Sequence, residues 1–154
     1  MSKGFISAEQ GHIVQMLKPQ DLSAAATSDT VCMDTWGHLS VFLNFGAGSG
    51  CTVTVGECTG FGGTGRTAVT FRSAQDSTDL GDTMEAALAW ASTLTIAAGT
   101  GGVAVIELDA DELSDGSQYV QVNLSDPGTS KMVAAMAVLS GGRYQEDITA
   151  TAIA

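Results

Sequence analysis

Apolar and polar residues alternate with a period of two in short runs punctuated by glycine. That pattern belongs to half-buried β-strands rather than to helices. Cys51–Cys58 (CTVTVGEC) alternates most cleanly: Cys51, Val53 and Val55 fall on one face, Thr52, Thr54 and Gly56 on the other. Residues 36–45 (WGHLSVFLNF) form the strongest segment and run into Gly46-Ala47-Gly48-Ser49-Gly50. A flexible glycine turn between two such runs predicts that they pair as a hairpin. Further strands are expected at residues 67–72, at 103–108 bounded by the glycines of 99–102, at 119–124, and at 132–140 closed by Gly141-Gly142. Residues 76–82 are polar and acidic, hence loop. Residues 85–91 are Ala-rich but sit between β segments, with Leu94 and Ile96 following, and read as strand or extended chain. Asp109 to Leu113 reads as one helical turn with Asp109 as its N-cap. Asp126-Pro127-Gly128 reads as a turn.

Seven or eight short strands separated by turns describe an all-β fold, an antiparallel β-sandwich or jelly roll. The domain is expected over residues 28–144. Residues 1–27 fit the pattern poorly and read as an extended N-terminal arm, ordered by a partner. Residues 145–154 read as a short C-terminal tail. Composition agrees with a single thin domain. The chain has 154 residues, and Gly, Ala, Ser and Thr make up close to half of it. Such a chain builds one core, and too few long side chains are present for a helix bundle or coiled coil.

Charge narrows the function. Seventeen acidic residues against six basic ones give a net charge of −11. The six bases (Lys3, Lys18, Arg66, Arg72, Lys131, Arg143) are scattered, so no stripe can neutralise a duplex backbone. Anionic membrane surfaces are repelled too. The first ten residues lack the apolar core of a signal peptide, and no run is long enough to span a bilayer, which predicts synthesis in the cytoplasm. Three cysteines (Cys32, Cys51, Cys58) without a C-x-x-C, and two histidines (His12, His38), predict free thiols and no metal site or cofactor.

Three motifs fail on context. Gly60 to Thr67 approaches a phosphate-binding loop, but Arg66 stands where lysine is needed and a strand follows where a helix is needed. Asp109-x-Asp111-Glu112-x-x-Asp115-Gly116 has spaced carboxylates, yet position five of a calcium loop would be Leu113 and position twelve Val120, so a capped turn is the better reading. His12 and His38 have no nucleophile elbow or carboxylate in a recognisable frame, and no catalytic residues are expected. A carbohydrate-binding or other ligand-binding sandwich is the alternative. It needs exposed aromatic platforms, and Trp90 and Tyr119, the two available, read as buried core residues.

Taken in order, residues 36–43, 52–57, 65–72, 105–113, 119–122 and 137–140 followed by Arg143-Tyr144 resemble a family of small virion proteins of tailed bacteriophages, encoded beside the major capsid protein. Some of these are head decoration, or cement, proteins. The resemblance spans residues 28–144 and carries no active site. It implies a structural protein, not an enzyme. It implies binding between major capsid protein subunits on the outer surface of an icosahedral head, as a homotrimer, with a phage tail or connector as the alternative location. Capsid contacts are then expected from Phe5, Ile6, Ile13, Val14, Met16 and Leu17 of the arm, which could add a strand to a capsid sheet. Subunit contacts are expected from Phe61, Arg143 and Tyr144.

Overall fold

The structure, a computed structural model, describes residues 10–142 except 77, 79–80 and 86–89. The tail at 145–154 and the central part of the segment expected at 85–91 therefore lie outside the described residues. Eleven strands are described: β1 (His12–Leu22), β2 (Ala26–Thr27), β3 (Val31–Cys32), β4 (Trp36–Gly48), β5 (Cys51–Cys58), β6 (Thr67–Val69), β7 (Arg72–Asp76), β8 (Leu94–Ile96), β9 (Gly99–Asp109), β10 (Tyr119–Leu124) and β11 (Lys131–Gly142). They form two antiparallel sheets, one of five strands in the order β1-β11-β4-β9-β7. In the other, β10 lies between β2 and β5, with β6 beyond β5; β3 also pairs with β10, and β8 with β5. The chain is an all-β sandwich, as its period-two pattern requires.

The core is the space between the sheets. Leu39, Val41, Leu43 and Phe45 of β4 and Val133, Ala135, Ala137 and Leu139 of β11 point inward from the first sheet. Val53 and Val55 of β5 and Val120, Val122 and Leu124 of β10 meet them from the second. Each strand contributes every other residue, as the pleat dictates. Alanine at 104, 135 and 137 keeps the layer thin, which is how a chain poor in large side chains still closes a core.

Four expectations change. β4 and β5 do not form a hairpin. β4 pairs with β11 and β9, whereas β5 pairs with β10, β6 and β8 in the opposite sheet. Period-two alternation fixes which residues face the core but is blind to which sheet holds a strand. The crossing is made at Gly48, where φ is +144° and a Cβ would lie 2.2 Å from the Ser130 carbonyl oxygen. Residues 67–72 likewise do not form one strand. β6 belongs to one sheet and β7 to the other, and fully buried Phe71 marks the switch, bridged to Ala91 by two backbone hydrogen bonds. The glycines at 99–102 continue β9, pairing with Phe45, Gly46 and Gly48, instead of bounding it.

The fourth change concerns the arm. His12–Leu22 is the edge strand of the five-stranded sheet, paired along its length with β11. Val14, Met16, Leu17 and Leu22 are buried in the core. Two register shifts, between Gln15 and Leu17 and between Leu17 and Gln20, break the strict alternation and hid the strand in the sequence. Such bulges, with Pro19, which only an edge or a bulge tolerates, also blunt this edge against further pairing. The backbone N–H of fully buried Lys131 donates to Asp21 Oδ1 at 3.0 Å and pins the end of β1.

Candidate functional site

The outer face of the five-stranded sheet is built by the residues that alternate with the core set. On β11 these are Met132, Ala134, Met136 and Val138, so both faces of this strand are apolar. Strands of that kind are ordinarily covered on both sides. Here one side packs on the second sheet and the other meets solvent. Met132, Met136, Phe42 and Ile13 are 47%, 48%, 40% and 49% exposed. The register places Met136, Phe42, Val105 and Ala74 side by side in one apolar row across four strands, with Gln15 at its β1 end. A shallow hollow of about 350 Å³ lies in this face, lined mainly by apolar residues such as Leu17, Phe42, Val103 and Met136, with Gln15 and Asn44 as its polar members. Contiguous exposed apolar surface of this kind marks a contact site.

The next row runs from Ile13 through Val138, Ser40 and Glu107 to Arg72 and ends in an ionic cluster. His38 lies between two carboxylates of β9: Nδ1 is 2.5 Å from Asp109 Oδ1, and Nε2 is 2.7 Å from Glu107 Oε2. Ser40 Oγ donates to Glu107 Oε2 at 2.7 Å, and Arg72 Nη2 donates to Asp109 Oδ2 at 3.2 Å. A carboxylate only accepts, so a ring that satisfies both must donate from both nitrogens, which is the imidazolium form. Burial lowers the His38 pKa, but the hydrogen bonds and charges of Asp109 and Glu107 outweigh it and hold the pKa above 6.5. With His38 charged, two cations face two carboxylates, and the cluster leaves no net charge at the border of the apolar face.

The acidic turn follows directly on this cluster. The short 3-10 turn Ala110–Glu112 follows Asp109, whose backbone N–H donates to Glu112 Oε2 at 2.8 Å. This is the capped turn expected from the sequence, with the Asp109 side chain turned to His38 and Arg72. His12, the other histidine weighed as a base, stacks on Trp36 with ring centroids 6.0 Å apart.

The residues expected to bind partners are dispersed. Ile13 lies on the outer face. Val14 and Met16 are buried in the core of β1 instead of standing on a free arm, and Leu17, 8% exposed, lines the hollow of the outer face. Phe61 is 55% exposed and packs on Tyr119 at 4.6 Å in the loop after β5, over the other sheet. Phe5, Ile6, Arg143 and Tyr144 lie outside the described residues. Sequence reasoning missed Phe42, Met132 and Met136. The signal that finds them is the doubly apolar alternation of β11.

No family model matches the chain, and no curated protein matches it. Among solved structures, the crystal structure of SPBc2 prophage-derived protein YomS is similar at 11% identity, over 83% of this chain and 92% of that one, with a TM-score of 0.49.

Proposed function

We propose that this protein is a structural component of a tailed-phage virion that decorates the outer surface of the icosahedral head, docking between major capsid protein subunits through the outer face of its five-stranded sheet. The observation that carries this reading is β11, apolar on both sides and covered on one. The resemblance of residues 28–144 to small virion proteins supplies the setting. The reading is non-enzymatic: a rigid sandwich whose free face carries an apolar patch centred on β11, bordered by a self-neutralised cluster, in a chain of net charge −11. Excess negative charge on a head exterior repels free nucleic acid and other virions. The protein is made in the host cytoplasm and assembles as a homotrimer, with Phe61 as a subunit contact. The arm's role passes to the sheet: β1 completes the docking face and does not leave the body to join a capsid sheet.

Purified protein mixed with undecorated heads tests the reading. Wild type is expected to co-sediment at saturating, stoichiometric occupancy, and Met136→Glu, folded by its melting curve, is expected to remain in the supernatant. Full occupancy by Met136→Glu overturns the assignment of this face.

A further inference from the structure

Trp90, expected in the core, is 49% exposed, while the other indole, Trp36, is buried. Trp90 borders a cleft of about 460 Å³ at the edge of the sandwich, lined also by Glu57, Thr67, Thr70, Glu112 and Ser114. We propose that this cleft binds a neutral saccharide, with the Trp90 indole as stacking platform and the two carboxylates as acceptors for sugar hydroxyls. This site lies near β6 and touches the ionic cluster through Arg72 and Glu112, but its lining is distinct from that of the hollow on the outer face and it does not depend on the capsid-docking reading.

The lining matches the two-sided chemistry of a pyranose. A sugar ring offers a face of C–H groups and a rim of hydroxyls. An indole is a flat apolar surface that accepts the first, and carboxylates and hydroxyls pair with the second. The indole is fixed in advance: the Arg72 guanidinium lies 5.1 Å from its ring centroid and is itself tied to Asp109. The acceptors are fixed too. Glu57, 4% exposed, takes the Ser114 backbone N–H on Oε2 at 2.7 Å, and Glu112 takes that of Asp109 at 2.8 Å. One such bond leaves a carboxylate with most of its acceptor capacity. Groups held by the fold before the ligand arrives lose little entropy on binding. The charge selects within the class: two carboxylates line the cleft, and Arg72, against the indole, is already paired with Asp109, so phosphorylated, sulfated or uronic acid glycans are repelled.

The experiment titrates the full chain with maltohexaose, cellohexaose and chitohexaose, followed by calorimetry and by tryptophan fluorescence. At least one is expected to bind saturably and to perturb the emission of the exposed indole. Trp90→Ala is expected to weaken that binding at least tenfold, and Trp90→Phe, which keeps a smaller platform, to retain part of it, both with the wild-type melting temperature. Absence of binding by all three sugars overturns the proposal, as does binding that Trp90→Ala leaves unchanged. Binding of a tetralysine peptide with no sugar bound would show an acidic cleft for cationic peptides and would also overturn it. No capsid enters the experiment, so its failure is separate from failure of the docking reading.

Discussion

The two outer faces of the sandwich arise from the same alternation and end differently. On the six-stranded sheet the residues opposite the core are Thr52, Thr54 and Gly56 of β5 and Tyr119, Gln121 and Asn123 of β10, all but Gly56 polar or phenolic. The loop after β5 then folds back over them. Phe61 packs on Tyr119, Gly63 lies against Gln121, and the Arg66 side chain crosses Gly56 to donate to Thr54 Oγ1 at 3.2 Å. Gly63 has φ of +83°, and a Cβ there would lie 2.7 Å from Gln121 Oε1, so glycine serves both the turn and the close approach. The near-match to a phosphate loop is therefore a cover over a sheet. The five-stranded sheet has the reverse at β11: an apolar outer set, bordered by the ionic cluster of β4, β9 and β7, and no cover among the described residues. One face is covered by the chain's own loop, and the other is open among the described residues.

Substitutions separate core, covered face and open face by their effect on the free protein. Leu43→Ala, in the fully buried layer beneath the open face, is expected to cost about 2–5 kcal/mol in chemical denaturation. A loss below 1 kcal/mol would mean the layer is loosely packed. On the covered face, Gly56→Ala places a Cβ 2.5 Å from Arg66 Nε. The guanidinium must move and lose its bond to Thr54, a cost of about 1 kcal/mol. An unchanged denaturation midpoint would show that the cover contributes nothing.

Smaller still is the ionic border of the open face. The His38 pKa is raised on folding, so the stabilisation it brings is complete below 6.5 and disappears as pH rises through the raised value. The difference in melting temperature between wild type and His38→Gln is thus expected to shrink across that window. A difference that grows with pH would mean the ring is neutral in the cluster. Least of all, Met136→Glu on the open face is expected to shift the stability of the free protein by less than about 0.5 kcal/mol. A large loss would mean that Met136 belongs to the fold and not to a docking surface.

What could be read from the sequence follows from what alternation encodes. β5, β10, β11 and most of β4 were legible because their core sets are uninterrupted. The pairing of β4 with β5 was not, since a tight glycine turn serves a sheet-crossing corner as well as a hairpin. β1 was hidden by its bulges, which put Met16 and Leu17 side by side in the core. Trp90 was misjudged because an aromatic between alanines gives no periodic sign of which way it points. The ionic cluster joins His38 to residues about seventy positions away, and its pieces carry no local signature. The open face was written plainly in β11, where Met132, Ala134, Met136 and Val138 alternate with a second apolar set.

Methionine oxidation reads the central contrast most directly. Met132 and Met136 are about half exposed, whereas Met16 and Met33 are each 2% exposed and serve as internal controls. With dilute peroxide, the free protein is expected to oxidise at Met132 and Met136, and at Met84, which is 38% exposed, with Met16 and Met33 spared. Bound to heads, the protein is expected to be protected at Met132 and Met136 and otherwise unchanged. Equal oxidation of Met132 and Met136 in free and head-bound protein would contradict the account.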